Sequence, residues 1–198
     1  MNVVVDLGGV VLTWDPESII AAVFVDPETR QKVEELIFDH PDWLELDRGT
    51  LELDEAIRRG AVRTGVPQAE IETLMRTVPQ SLVPIPEMLE ILPRIKEKGH
   101  NLFYLSNMHK PSINHLEKQY SFWDIFDGGV ISCRVHLVKP EPGIFEKLIQ
   151  QFGLDVRETV FIDDTKQHLD AAATMGMRTI KFSDPRQFEN DLSALGCI

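Results

Sequence analysis

Val3-Val4-Val5-Asp6-Leu7-Gly8-Gly9-Val10-Val11 is the stretch on which the fold turns. Consecutive valines behind Asn2 read as a short strand buried on both faces, as in a parallel sheet. The strand ends on a carboxylate, and two glycines follow it. In open α/β sheets, ligands bind at the C-terminal tips of the strands, so Asp6 stands where chemistry is done.

Working outward, similar apolar runs recur at Leu102 to Leu105, Gly129 to Ser132, Thr159 to Ile162 and Arg178 to Lys181. Helical patterns separate them. Pro86 to Lys98 carries Met88, Leu89, Leu92 and Ile95 on one stripe and stops at Gly99; Pro93 is expected to kink it. Pro142 to Phe152 stops at Gly153, and Lys166 to Met175 stops at Gly176. This alternation predicts a doubly wound, Rossmann-like parallel α/β sheet.

Between the first and second strands the alternation breaks. Trp14 to Pro84 shows helix starts at Asp26-Pro27, Asp54 and Pro67-Gln68, and no strand. A block of that length is no loop, so it is expected to be a helical cap inserted after the first strand. The predicted division is a core of residues 1–13 and 85–198 and a cap of residues 14–84. The crossings at Thr13 to Pro16 and Ser81 to Pro86 are the expected hinges.

The formal charge is −12, from 20 basic and 32 acidic side chains, with no basic cluster to suggest a nucleic-acid surface. Cys133 and Cys197 are too few for a disulfide framework or a cysteine zinc site. The amino terminus has no basic leader, and no stretch is long enough to span a bilayer. The expectation is a cytoplasmic protein, monomer or homodimer, with no nucleic-acid or membrane partner.

Chemistry gathers at the other strand ends too. The second ends in Ser106-Asn107 and the fourth in Asp163-Asp164; Lys139-Pro140 precedes the Pro142 helix. A carboxylate can attack phosphorus, and further carboxylates can join it around a hard divalent cation. A hydroxyl, an amide and an ammonium can cradle phosphoryl oxygens. Singly, each has a plainer reading as a turn, helix cap or surface side chain.

In this order, VVVDLGGVV, LSN, VKPEPGIF and VFIDDTKQHLDAAATMGM resemble the motifs of the haloacid dehalogenase superfamily, across core and cap. They look most like a subgroup containing bacterial sugar-phosphate phosphatases and the N-terminal phosphatase domain of soluble epoxide hydrolase. The resemblance implies a Mg²⁺-dependent phosphohydrolase acting on a small phosphorylated metabolite, such as a sugar phosphate. It implies Asp6 as nucleophile, forming an aspartyl-phosphate. It implies Asp6, the Gly8 carbonyl and Asp164 as Mg²⁺ ligands, with Asp163 as a ligand or a supporting partner. Ser106, Asn107 and Lys139 would hold the phosphoryl group.

One position departs from the pattern. Most phosphatases of this superfamily carry a second aspartate, the general acid, where Gly8 stands. Glycine offers a carbonyl to a metal but no proton. Three explanations stand: a leaving group that needs little protonation, a donor supplied by Asp15 or the cap, or a weak catalyst or phosphate-ligand binder. A 2-haloacid dehalogenase with the same nucleophile is a further alternative, and Asp163-Asp164 speak against it.

Other residues have bland readings. His168 reads as helix surface, and His109 and Lys110 as exposed loop. In the cap, Trp43, Asp47 and Arg48 stand out; Trp43 reads as core and Arg48-Gly49 as a structural turn. Trp14 and Phe24 are candidates for the pocket wall.

Overall fold

The computed structural model describes residues 1–198. At its centre is a five-stranded parallel sheet in the order β3-β2-β1-β4-β5. The strands are β1 (Asn2–Val5), β2 (Asn101–Ser106), β3 (Gly128–Ile131), β4 (Thr159–Asp163) and β5 (Arg178–Lys181). Val5 pairs with Tyr104 on one side and Ile162 on the other. The tip of β1 is therefore the point from which the strand order runs both ways. Val3, Val4 and Val5 are fully buried, as a strand covered on both faces requires.

Two apolar layers sandwich the sheet. One joins Val3, Val5, Leu92, Ile95, Leu102 and Phe188, the other Val4, Leu105, Phe145, Leu148 and Phe161. β3 ends one residue earlier than expected, because Ser132 opens a short helix. A Cβ on Gly129 would lie 2.3 Å from the Tyr104 ring, so only glycine lets that aromatic lie across β3.

The first helices in chain order are α1 (Pro16–Ala21), α2 (Pro27–Val33), α3 (Pro41–Arg48), α4 (Leu53–Thr64) and α5 (Gln68–Ser81). They pack on their own apolar cluster, which includes Ile20, Val33, Ile57, Ile71 and Leu74. A π-helical turn, Glu34–Phe38, continues α2. The helices that follow are α6 (Pro86–Glu97), α7 (Lys110–Gln119), α8 (Ser132–Val135), α9 (Pro142–Phe152), α10 (Lys166–Thr174) and α11 (Pro185–Ala194). Helix α6 runs through Pro93, which costs it one backbone donor without ending it.

The two chain crossings are laced together. Thr13 N donates to Val83 O (2.9 Å) and Ile85 N to Val11 O (2.9 Å). The Thr13 hydroxyl donates to Ser81 O (2.6 Å) and accepts from Val83 N (3.0 Å). No helix is long and apolar enough to cross a membrane.

Candidate active site

Asp6 leaves the tip of β1 and points into the space between β2 and β4. Its backbone N–H still donates to Ile162 O (2.9 Å), so the strand's geometry carries into the residue. Oδ1 accepts from Leu7 N at 2.7 Å and Oδ2 lies 2.8 Å from Lys139 Nζ. Burial pushes this carboxyl up, to about 6; Lys139 pulls it back and Asp163 adds to the rise.

Lys139 is among the largest fully buried side chains of the protein. A buried ammonium persists only with partners, and it has two, Asp6 and Asp163, the latter at 2.7 Å. Burial alone would lower the ammonium's pKa, but the two carboxylates outweigh it and hold Lys139 charged. For Asp163, burial acts upward, yet Lys139 and His168 together keep it below the ordinary carboxylate range.

Asp163 is fully engaged. Besides Lys139, it accepts from Thr165 N (2.8 Å), and His168 Nδ1 lies 3.1 Å from both of its oxygens. Asp6, Asp163 and His168 offer ligand atoms within 4.8 Å of one another, but Lys139 already bridges the two carboxylates. Of the two places expected for Asp163, ligand or supporting partner, these contacts suit the second: it is the buried anchor of Lys139. His168, expected on the helix surface, is half-buried against it.

Asp164 turns the other way. It is exposed and lines the cavity with Asp6 and Gly8. Its carboxylate lies so close over the loop after β1 that a Cβ on Gly9 would come within 2.5 Å of Oδ2. Gly9 also holds φ +78°, a left-handed conformation that favours glycine. Burial and the neighbouring Asp163 raise the Asp164 pKa, the signature of negative charge in excess. Asp6, Asp164 and Gly8 line one water-accessible space, and carboxylate and carbonyl oxygens are the donors that suit a hard divalent cation such as Mg²⁺.

Ser106, at the tip of β2, is buried and lines the same cavity. Asn107 does two things there. Its side chain accepts from Lys139 N (2.8 Å) and donates to Lys139 O (3.0 Å), clamping the lysine loop. An amide has two N–H groups, so one remains for the cavity.

The cavity encloses about 340 Å³, and its far wall comes from the cap and its junctions. Trp14, Trp43, Leu44, Val78 and Leu82 make that wall largely apolar, and Met108 after β2 adds to it from the core. Trp43, expected in the core, packs on Phe38 with ring centroids 4.5 Å apart and also lines the cavity. Phe24 is instead buried in the cap core.

His109, expected on an exposed loop, is 2% exposed and lines the cavity. Burial pushes its imidazole down to about 4, so it is neutral at physiological pH. Its Nδ1 accepts from Ser112 N (3.2 Å), capping α7. Lys110 is exposed and pairs with Glu52.

Asp15 does not occupy the place proposed for it. Its carboxylate accepts from Ser18 N (3.0 Å) and Ser18 Oγ (2.5 Å), capping α1, and these bonds hold its pKa below the usual range. An exposed, ionised cap that does not line the cavity is no proton donor. The carboxyl that does reach the cavity from the cap is Asp47, on α3, to which no local sequence pattern assigns a task. Asp47 is 8% exposed. Burial raises it to about 7, with Asp6 adding to the rise, against a backbone hydrogen bond from His109 and the pull of Lys139.

That shift has a sign in stability. The folded pKa lies above the unfolded value of 3.8, so between about pH 4 and 7 the unfolded chain gives up the proton first. The contribution of Asp47 to stability therefore falls as pH rises through that window. Asp47→Asn should stabilise the fold by roughly 1–3 kcal/mol at pH 8 relative to its effect at pH 4. Denaturant melts of both proteins at the two pH values check this; an equal difference at both would contradict it.

Comparison with known proteins agrees with this architecture. Residues 50–182 match the model of the haloacid dehalogenase-like hydrolase family. The chain is 28% identical over 179 residues to the sesquiterpene phosphatase astK of Aspergillus oryzae, covering 90% of this chain and 88% of that one. A family enzyme of Bacteroides thetaiotaomicron, solved with magnesium and inorganic phosphate, superposes with a TM-score of 0.72 at 23% identity, covering 92% and 93% of the two chains. An L-2-haloacid dehalogenase superposes with a TM-score of 0.74 at 20% identity over 97% and 98%. With its parallel sheet, its acidic β1 tip and a family match over well more than half its length, the chain belongs to the haloacid dehalogenase-like hydrolases.

Proposed function

We propose that this hydrolase is a Mg²⁺-dependent phosphomonoesterase that works through an aspartyl-phosphate on Asp6. The observation that carries the reading is the Asp6–Lys139–Asp163 chain of ion pairs opening onto a cavity shared with Gly8, Ser106 and Asp164. The nucleophile is buried, held in one orientation and next to a fixed positive charge, as attack on an anionic phosphorus requires.

Asp6, the Gly8 carbonyl and Asp164 would hold the cation, which when bound neutralises phosphoryl charge. Lys139 offsets charge from the other side, and Ser106 with the free Asn107 N–H orients the phosphoryl oxygens. The Asp6 carboxylate attacks phosphorus and the alcohol leaves; water then attacks the acyl-phosphate and returns the free carboxylate. Closure of the cap over a bound substrate would exclude bulk water, which strengthens each of these interactions.

The apolar wall favours a phosphate ester of an apolar alcohol over a sugar phosphate. Tryptophan and aliphatic surface gains from burying hydrocarbon, whereas a sugar hydroxyl laid against those side chains gives up water for no hydrogen bond. The similarity to a sesquiterpene phosphatase points the same way. With Mg²⁺ present, kcat/KM for isoprenyl monophosphates should exceed that for glucose 1- and 6-phosphates by at least about 10-fold, roughly 1.4 kcal/mol. Inorganic phosphate release over such a panel checks it, and a preference for the sugars would overturn it.

The dehalogenase alternative gains nothing from this site. A haloacid's carboxylate would meet the like charge of Asp164 in the cavity.

A further inference from the structure

Resting on the phosphatase reading, one gap remains in its chemistry. Gly8 leaves the β1 loop without a proton donor, and Asp15 is turned away. We infer that Asp47, delivered by the cap, is the general acid that protonates the leaving alcohol. Its carboxyl lines the cavity that holds Asp6, Gly8, Ser106 and Asp164.

The approach of Asp47 is built into the fold. Ser132 Oγ donates to the Asp47 backbone carbonyl at 2.5 Å, tying it to the core where β3 ends. Arg48 makes a bidentate pair with Glu141 at 2.7 and 2.8 Å, and its carbonyl lies 3.2 Å from His136 Nδ1. Gly49 ends α3 at φ +77°, and a Cβ there would come 2.7 Å from Cys133 O. Three consecutive cap residues are thus each anchored to the core, and the anchored end is the one that carries the carboxyl. An Arg–carboxylate fork fixes orientation as well as proximity.

The groups facing Asp47 come from several elements: Asp6 at the β1 tip, Lys139 before α9, the His109 N–H before α7, and Cys133 on α8. Burial pushes this carboxyl well above the ordinary carboxylate range, towards the protonated state a proton donor needs. The step balances. Asp6 forms its bond to phosphorus as the bond to the alcohol oxygen breaks, and the Asp47 proton goes to that oxygen. The resulting Asp47 carboxylate takes a proton from the water that next attacks the aspartyl-phosphate, releasing phosphate and restoring both carboxyls.

Leaving-group dependence tests the assignment. An alkyl phosphate needs its oxygen protonated; p-nitrophenyl phosphate, with a good leaving group, needs this far less. In Asp47→Asn, kcat for an alkyl phosphate should fall by about 10²–10³-fold, and that for p-nitrophenyl phosphate by less than about 5-fold. Asp47→Glu should restore part of the alkyl activity. Wild type should lose kcat on the alkyl ester on the alkaline side, and Asp47→Asn should not. Equal losses on both esters would mean Asp47 only positions the cap, and no loss on the alkyl ester would mean another donor; either overturns the proposal. The wild-type enzyme serves as its own control: if it releases phosphate from neither ester with Mg²⁺, the phosphatase reading itself fails, a result distinct from any behaviour of Asp47.

Discussion

Asp6→Asn should remove phosphate release from every ester the wild-type protein turns over, by at least about 10⁴-fold. The amide has nearly the same shape as the carboxylate but cannot form an acyl-phosphate at a useful rate. It can still accept from Leu7 N, so the loop after β1 has no reason to move. The fold should tolerate the change, since Lys139 keeps its 2.7 Å pair with Asp163. Phosphate release and a thermal melt on the same preparation check both halves. A folded Asp6→Asn protein that retains a tenth of its activity would mean that water attacks the ester directly.

Lys139→Met should be the most destabilising conservative change at the site. The side chains are of similar length, so packing is largely kept while the ammonium is lost. Asp6 and Asp163 would then face each other, buried and uncompensated. Removing one partner of a buried pair typically costs about 3–5 kcal/mol. At about 2–4 °C per kcal/mol for a chain of this size, the melting temperature should fall by roughly 6–20 °C at pH 7. Without the lysine, the Asp163 carboxyl would rise above its unfolded value, so the folded state would bind the proton first. The loss should therefore shrink as pH falls towards 5. Thermal melts of wild type and variant at pH 5 and 7 check this, and a loss independent of pH would mean that packing, not charge, holds Lys139 in place.

Much of this design is legible before folding is considered. The strands over Val3 to Val5 and Thr159 to Ile162 are short apolar runs between turn residues, and burial on both faces leaves them no other role. Asp6, Ser106, Lys139 and Asp164 stand beside strand tips or the Pro142 helix, so their convergence follows once the sheet order is known. The misreadings have a common cause. Asp15 is near the crossing in sequence, yet Asp15-Pro16-Glu17-Ser18 is the pattern of a helix start, and the cap hydrogen bond claims the carboxylate. His109 repeats the lesson, an N-cap whose loop the cap then buries.

Asp47 was beyond the reach of local pattern. Nothing on α3 says which core element its C-terminal end will meet. Its neighbour Arg48 finds Glu141 across 93 residues of chain, and Ser132 finds the Asp47 carbonyl across 85. Such contacts depend on how the cap docks. Asp163 and Asp164 differ for a related reason. Adjacent in sequence, they leave the strand tip in opposite directions, one into the sheet towards Lys139 and the other out over Gly9.

Rapid-quench mass spectrometry of the wild-type protein mixed with Mg²⁺ and a turned-over ester bears most directly on Asp6 as the covalent centre. Peptide mapping should find one phosphoryl group on Asp6 during turnover, gone once substrate is exhausted and absent from Asp6→Asn. Turnover with the phosphoryl group on another residue, or undiminished phosphate release from Asp6→Asn, would contradict the mechanism.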